Sequence, residues 1–160
     1  MATEPLSNPL LRGPKLAQTV RKLRRDHERM VEELACIRVV VDALPHLPQA
    51  DLEDFNAALA RLSRNLERHA ETEEREVYPA LRRQLGGARL EAAMVADHRA
   101  IEATATELTA LGPDRPACLA ALLHRLDALV TLHIAKEEEI VFPAVPGPEP
   151  GRSNECRRVR

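Results

Sequence analysis

The chain has 160 residues, of which 44% are hydrophobic and 30% charged, and its formal net charge is −2. That composition excludes a disordered chain, leaves no unbroken apolar run near the roughly 20 residues of a membrane span, and exerts no overall pull toward nucleic acid. Aromatic residues are confined to Phe55, Tyr78 and Phe142. Leu and Ala dominate where a sheet protein would use aromatic and β-branched residues, so the expected fold is all-α.

Residues 1–14 contain Pro5, Pro9, Gly13 and Pro14, and read as an irregular tail with no apolar targeting stretch. Residues 15–144 read as one domain of four helical segments, near 15–44, 51–85, 88–111 and 114–144. Pro45 and Pro48, Gly86-Gly87, and Gly112-Pro113 divide them. Residues 145–160 are rich in Pro and Gly and end in a basic stub, a second irregular tail. Cys36, Cys118 and Cys156 share no paired spacing, which excludes a disulfide framework and a CxxC metal knuckle and predicts reduced thiols in the cytoplasm.

In the first segment Leu16, Val20, Leu23, His27, Met30, Leu34, Ile37, Val41 and Leu44 alternate spacings of four and three. This is the seam of a helix that buries one stripe. The second segment repeats the pattern with Leu52, Phe55, Leu59, Leu62, Leu66, His69 and Glu73. The third does so with Leu90, Met94, His98, Ile101, Ala105 and Leu108, and the fourth with Leu119, Leu122, Leu126, Leu129, His133 and Glu137. Short connections between four such helices predict an antiparallel, up-down-up-down four-helix bundle.

Each seam carries one histidine where an apolar residue belongs: His27, His69, His98 and His133. Glu73 and Glu137 each lie four residues beyond a seam histidine, on the same helix face and about 6 Å along the axis. Buried carboxylates and imidazoles need partners, and no seam Lys or Arg is present to balance them. A metal cation supplies the missing charge. The repeat HxxxEExxV[YF]PA, from His69 to Ala80 and again from His133 to Ala144, makes the chain two similar hairpins. Asp26-His27 is echoed by Asp97-His98. A pseudo-twofold arrangement of this kind suits a dinuclear site. His46, in a Pro loop, and His124, half a turn out of phase with His133, are not ligand candidates. Tyr78 and Phe142, nine residues beyond the repeat histidines, are also out of phase and read as end plugs, with Pro79 and Pro143 bending or ending the helices.

The order H…HxxxE…H…HxxxE, with its Tyr-Pro and Phe-Pro endings, resembles the hemerythrin-like HHE cation-binding domains across about residues 15–144. The resemblance implies two non-haem iron ions joined by carboxylates and an oxo or hydroxo bridge. The implied ligands are His27, His69, Glu73, His98, His133 and Glu137. Ferritin-like carboxylate proteins use ExxH pairs, and this sequence has none. The chain also departs from oxygen-carrier hemerythrins: Glu102 stands four residues after His98, where those proteins carry a fifth histidine. Two octahedral ions offer about twelve positions, of which these six residues and one bridge fill about ten. Glu102 is therefore expected as an additional ligand, and without it the site is more open.

An all-N/O ligand set suits iron, and also zinc or manganese. The expected function is binding of oxygen, nitric oxide or peroxide, for sensing, iron and oxygen homeostasis or stress protection. A second reading is a catalase-like enzyme that decomposes peroxide with the same residues. A third is a metal-free interaction module that uses Arg21, Lys22, Arg24, Arg25 and Arg29. These cations fall mostly off the seam and lack aromatic neighbours for base stacking, so neither a nucleic-acid nor a membrane partner is expected.

Overall fold

The computed structural model describes residues 9–41, 43, 48–82, 86–111 and 115–145. These residues are overwhelmingly helical, and no strand occurs among them. Helix α1 spans Pro9–Val41, and α2 spans Gln49–Thr72. α2 continues through a π-helical turn, Glu73–Val77, into the single turn of α3, Tyr78–Leu81. Helix α4 spans Gly87–Ala110. The last rod repeats the second: α5, Pro116–Lys136, then a π-helical turn, Glu137–Val141, then α6, Phe142–Ala144. Residues 9–14, expected in the N-terminal tail, instead belong to α1, with Pro14 early in that helix. The tail residues 1–8 and 146–160, and His46, lie outside the described residues.

α1 and α4 each pack against both α2 and α5, so the four rods close a ring. Two apolar clusters fix their directions. One joins late α1 (Met30, Leu34, Ile37) to early α2 (Phe55, Leu59, Leu62), late α4 (Ile101, Leu108) and early α5 (Leu119, Leu123, Leu126). The other joins early α1 (Val20, Leu23) to the ends of the second and fourth rods (Val77, Tyr78, Leu81; Val141, Phe142) and early α4 (Met94). Helix beginnings meeting helix ends in both clusters is the up-down-up-down packing of a four-helix bundle.

The seam of α5 is wider than the four-three spacing suggests. Leu123 and Val130 are buried, while Leu122 and Leu129 are half-buried beside them. A straight helix turns 3.6 residues at a time, so its apolar stripe drifts across neighbouring positions. Within Pro116–Ala144 an 18-residue window reaches a mean hydropathy of 1.4, enough by length and composition for a membrane span. No unbroken apolar run revealed this, because the average is spread between isolated polar residues. Here one side of that helix fills the bundle core.

The Gly86-Gly87 turn has two separate steric causes. Gly86 adopts φ 79°, the left-handed region that only glycine enters freely. At Gly87 a Cβ would stand 1.7 Å from the Leu81 carbonyl oxygen, so α4 can start against the end of α3 only with glycine there.

Candidate metal centre

Between the two apolar clusters lies one polar layer. His27, His69, His98 and His133 are all buried, and Glu73 and Glu137 are 0% exposed. These six residues form two overlapping groups whose ligating atoms lie within 4.8 Å of one another. One group is His27, His69, Glu73 and Glu137; the other is Glu73, His98, His133 and Glu137. Glu73 divides its oxygens between them. Its Oε1 is 2.8 Å from His69 Nε2, and its Oε2 is 3.1 Å from His98 Nε2. Glu137 Oε2 is 3.0 Å from His27 Nε2 and 3.5 Å from His133 Nε2.

Two of the outer ring nitrogens face carboxylates that belong to the other hairpin. His27 Nδ1 is 3.1 Å from Glu138, and His98 Nδ1 is 2.8 Å from Glu74. Arg24 also donates to Glu138 at 2.8 Å. Asp97 stands 3.6 Å from His133 Nδ1 and accepts from Lys136 at 2.7 Å. His69 Nδ1 and His133 Nδ1 have no hydrogen-bond partner. A carboxylate on Nδ1 holds the imidazole proton there and turns the Nε2 lone pair inward.

That inward convergence tests whether the layer suits a cation. His27 Nε2 and His69 Nε2 are 3.0 Å apart, and His98 Nε2 and His133 Nε2 are 3.1 Å apart. Glu73 Oε1 has no hydrogen-bond partner although His69 Nε2 is so close. Lone pairs packed this tightly repel unless positive charge sits among them. Protons can supply it. Burial alone lowers the pKa of His69, but Glu137 and Glu73 outweigh that and lift it to about 9. His98 is likewise raised by Glu73 and Glu74 against the effect of burial. Burial pushes Glu73 upward, yet hydrogen bonds with His133, His69 and His98 hold it well below the usual carboxylate range. A divalent cation meets the same demand with N and O donors of the kinds iron, manganese and zinc accept.

Tyr78 departs from the sequence expectation. Its ring is buried in the apolar cluster at that end, as a plug would be, but it is not out of phase with the ligands: its hydroxyl donates to Glu137 Oε1 at 3.0 Å and lies 3.3 Å from His98 Nε2. The π-helical turn explains the change of face. The Tyr78 backbone N–H bonds to the Glu73 carbonyl, five residues back, and Phe142 bonds to Glu137 in the same way. Each turn absorbs one extra residue, so the aromatic ring comes round to the side that carries the glutamate. The prolines supply the cause. In an α-helix the rings of Pro79 and Pro143 would clash with the carbonyls of Arg75 and Glu139, and both carbonyls lie inside the widened turns. The prolines do not end the helices; each is followed by the rest of a short final turn. Phe142 stacks on His27 with ring centres 5.6 Å apart. Burial, together with the charges of Glu73 and Glu137, raises the Tyr78 pKa, so its hydroxyl remains a donor. Tyr78→Phe leaves Glu137 Oε1 without that donor. Metal-free protein is expected to lose about 1–3 kcal/mol, read as a lower melting temperature at unchanged helicity.

The six seam residues converge as expected, and Glu102 does not join them. It is exposed and belongs to neither group. It lines a cavity of about 440 Å³ that also reaches His69, His98 and His133. His124 is exposed, as its phase required. Sequence reasoning missed Glu74 and Glu138, although the doubled Glu-Glu of the repeat was their signal.

The hemerythrin HHE cation binding domain model matches residues 18–145. No curated protein and no solved structure matches the chain.

Proposed function

Because the chain belongs to the hemerythrin HHE cation-binding domain family, we propose that it is a cytoplasmic non-haem di-iron protein that binds oxygen, nitric oxide or peroxide. In this reading His27 and His69 hold one ion and His98 and His133 the other. Glu73 and Glu137, which belong to both groups, would supply carboxylate oxygens to the pair. The observation that carries it is the division of Glu73, with one oxygen toward His69 and the other toward His98. Placed this way, Glu73 faces a histidine of each group, so one carboxylate could serve both ions. When bound, the iron pair supplies redox chemistry and open coordination positions.

The protein's own groups set the surroundings. Glu138 and Glu74 orient His27 and His98 through their outer nitrogens. Tyr78 places a hydrogen-bond donor beside Glu137. The Phe142 and Tyr78 rings pack into the apolar cluster at one end of the layer. The biological role in this reading is sensing, iron and oxygen homeostasis, or stress protection.

The test is metal content by inductively coupled plasma mass spectrometry on anaerobically purified protein, beside a His69→Ala variant. Two irons per chain, reduced in the variant, are expected. No metal, even after reconstitution, would overturn the reading; zinc or manganese would keep the site and overturn the assignment of iron. One observation favours the alternative of peroxide decomposition: the cavity leads from solvent to three of the four histidines, and Glu102 does not close it. Oxygen evolution from hydrogen peroxide that disappears in His69→Ala would select that reading.

A further inference from the structure

Two cavities flank α2 and both reach His69. The one between α2 and α4, about 440 Å³, is lined by Glu67, Glu71, Glu74 and Glu102 against a single cation, Arg99. The one between α1 and α2, about 490 Å³, has Lys22, Arg29, Arg68 and Arg75 against Asp26, Glu33 and Glu71. The two mouths therefore differ in sign: four carboxylates to one cation on one side, four cations to three carboxylates on the other.

The acidic mouth is also unneutralised. Glu67, Glu71 and Glu102 are exposed and make no ion pair among the described residues. Glu67 and Glu71 lie one turn apart on one face of α2. Glu74 reaches inward from the mouth: it is 43% exposed, yet it lies 2.8 Å from the buried Nδ1 of His98. At the inner end His69 and His133, both buried, line the same cavity; neither Nδ1 has a hydrogen bond, and only that of His133 has a carboxylate, Asp97, within 4 Å. Unpaired carboxylates at the rim and the buried histidines of the polar layer at the floor line one continuous path from solvent to the cluster.

We propose that divalent cations enter the buried cluster through the α2–α4 cavity, captured at its mouth by Glu67, Glu71 and Glu102. This rests on the dinuclear reading above. It gives Glu102 a role that its exposure allows, as a capture group outside the ligand set. A cleft lined by one sign of charge with apolar walls focuses the field and raises association rates by about 10–1,000-fold. Helix α2 separates the acidic cleft from its cationic counterpart, so the field selects one side. Salt at about 0.1 M screens exposed charges beyond roughly 10 Å, which makes the effect sensitive to ionic strength.

The experiment mixes metal-free full-length protein with Co²⁺ in a stopped-flow instrument and follows the ligand-field absorbance. It compares wild type with Glu67→Gln/Glu102→Gln, both unique to the acidic cavity, and with Arg68→Gln on the other side. Far-UV circular dichroism checks the fold of each. The double variant should take up Co²⁺ about tenfold more slowly, with a flatter salt dependence and an unchanged final content of two ions. An unchanged rate in the double variant would overturn the proposal. So would an equally large change of rate in Arg68→Gln, because uptake would then follow overall charge. Loss of a bound ion in the double variant would overturn it too, by making Glu102 or Glu67 a ligand. Wild-type protein that binds no Co²⁺ would remove the dinuclear reading and the route with it.

Discussion

On the dinuclear reading, Glu73→Ala should empty both metal positions at once, because each group of ligating atoms contains that residue. The expected result is a fall from two bound ions to near none in a Zn²⁺ titration followed by chelator competition. Glu73→Gln keeps the side-chain volume and should show the same loss, which separates lost coordination from a core defect. Glu138→Gln provides the contrast. It touches only the outer nitrogen of His27 and the Arg24 guanidinium, so two ions should still bind. The position held by His27 should weaken by about 10–100-fold, the usual cost of removing a partner that orients a ligand. If Glu73→Ala retained two ions at wild-type affinity, the bridging role of this carboxylate would be refuted.

The second large effect is a reversal of pH dependence on metal loading. In metal-free protein the His69 pKa rises from 6.5 to about 9 on folding. A raised pKa contributes stability that is fully present below pH 6.5 and lost as pH climbs through about 9. The shift corresponds to on the order of 3 kcal/mol at this buried site. Glu73 is shifted the other way, below its ordinary 4.5. Its contribution is present above that pH and lost as pH falls through the depressed value. Metal-free protein should therefore be most stable between about pH 4.5 and 6.5 and should lose roughly 10 °C in melting temperature toward pH 9. Metal competes with protons for the imidazole nitrogens, so loaded protein should gain stability over the same alkaline range. Melting curves with and without Zn²⁺ across pH 5 to 9 measure both trends. A flat metal-free curve from pH 6 to 9 would contradict the protonated-histidine account.

The seam histidines and the HxxxE pairs were legible because burial and helical phase are local properties. A polar residue on an apolar stripe is visible in the spacing alone, and four of them on four helices point to one layer. The prolines were legible as well, but their consequence was not. Read with a uniform 3.6-residue period, Pro79 and Pro143 look like helix ends, and Tyr78 and Phe142 fall on the wrong face. The actual backbone widens by one residue at Glu73–Val77 and Glu137–Val141, and the phase of everything beyond shifts with it. Phase arguments fail wherever the period itself changes. Glu102 illustrates a different limit. Four residues after His98 it shares a helix side with that histidine, but the rim of a bundle and its centre lie on adjoining parts of one face. Which of the two a side chain reaches depends on the neighbouring helix.

The chain's spacing and repeats were sufficient for the all-α fold, the antiparallel order of its helices, and the six residues of the buried layer. Each of these follows from apolar periodicity, short connections and the cost of burying charge. Only the tertiary structure decided the pairing across hairpins: Glu138 with His27, Glu74 with His98, and the Tyr78 hydroxyl with Glu137. It alone set an acidic cavity and a cationic one on opposite sides of α2. These contacts join residues 24 to 111 positions apart, and their partners are selected by how the rods are rotated against each other. That rotation is a property of packed side chains in three dimensions, which one helix's periodicity does not contain.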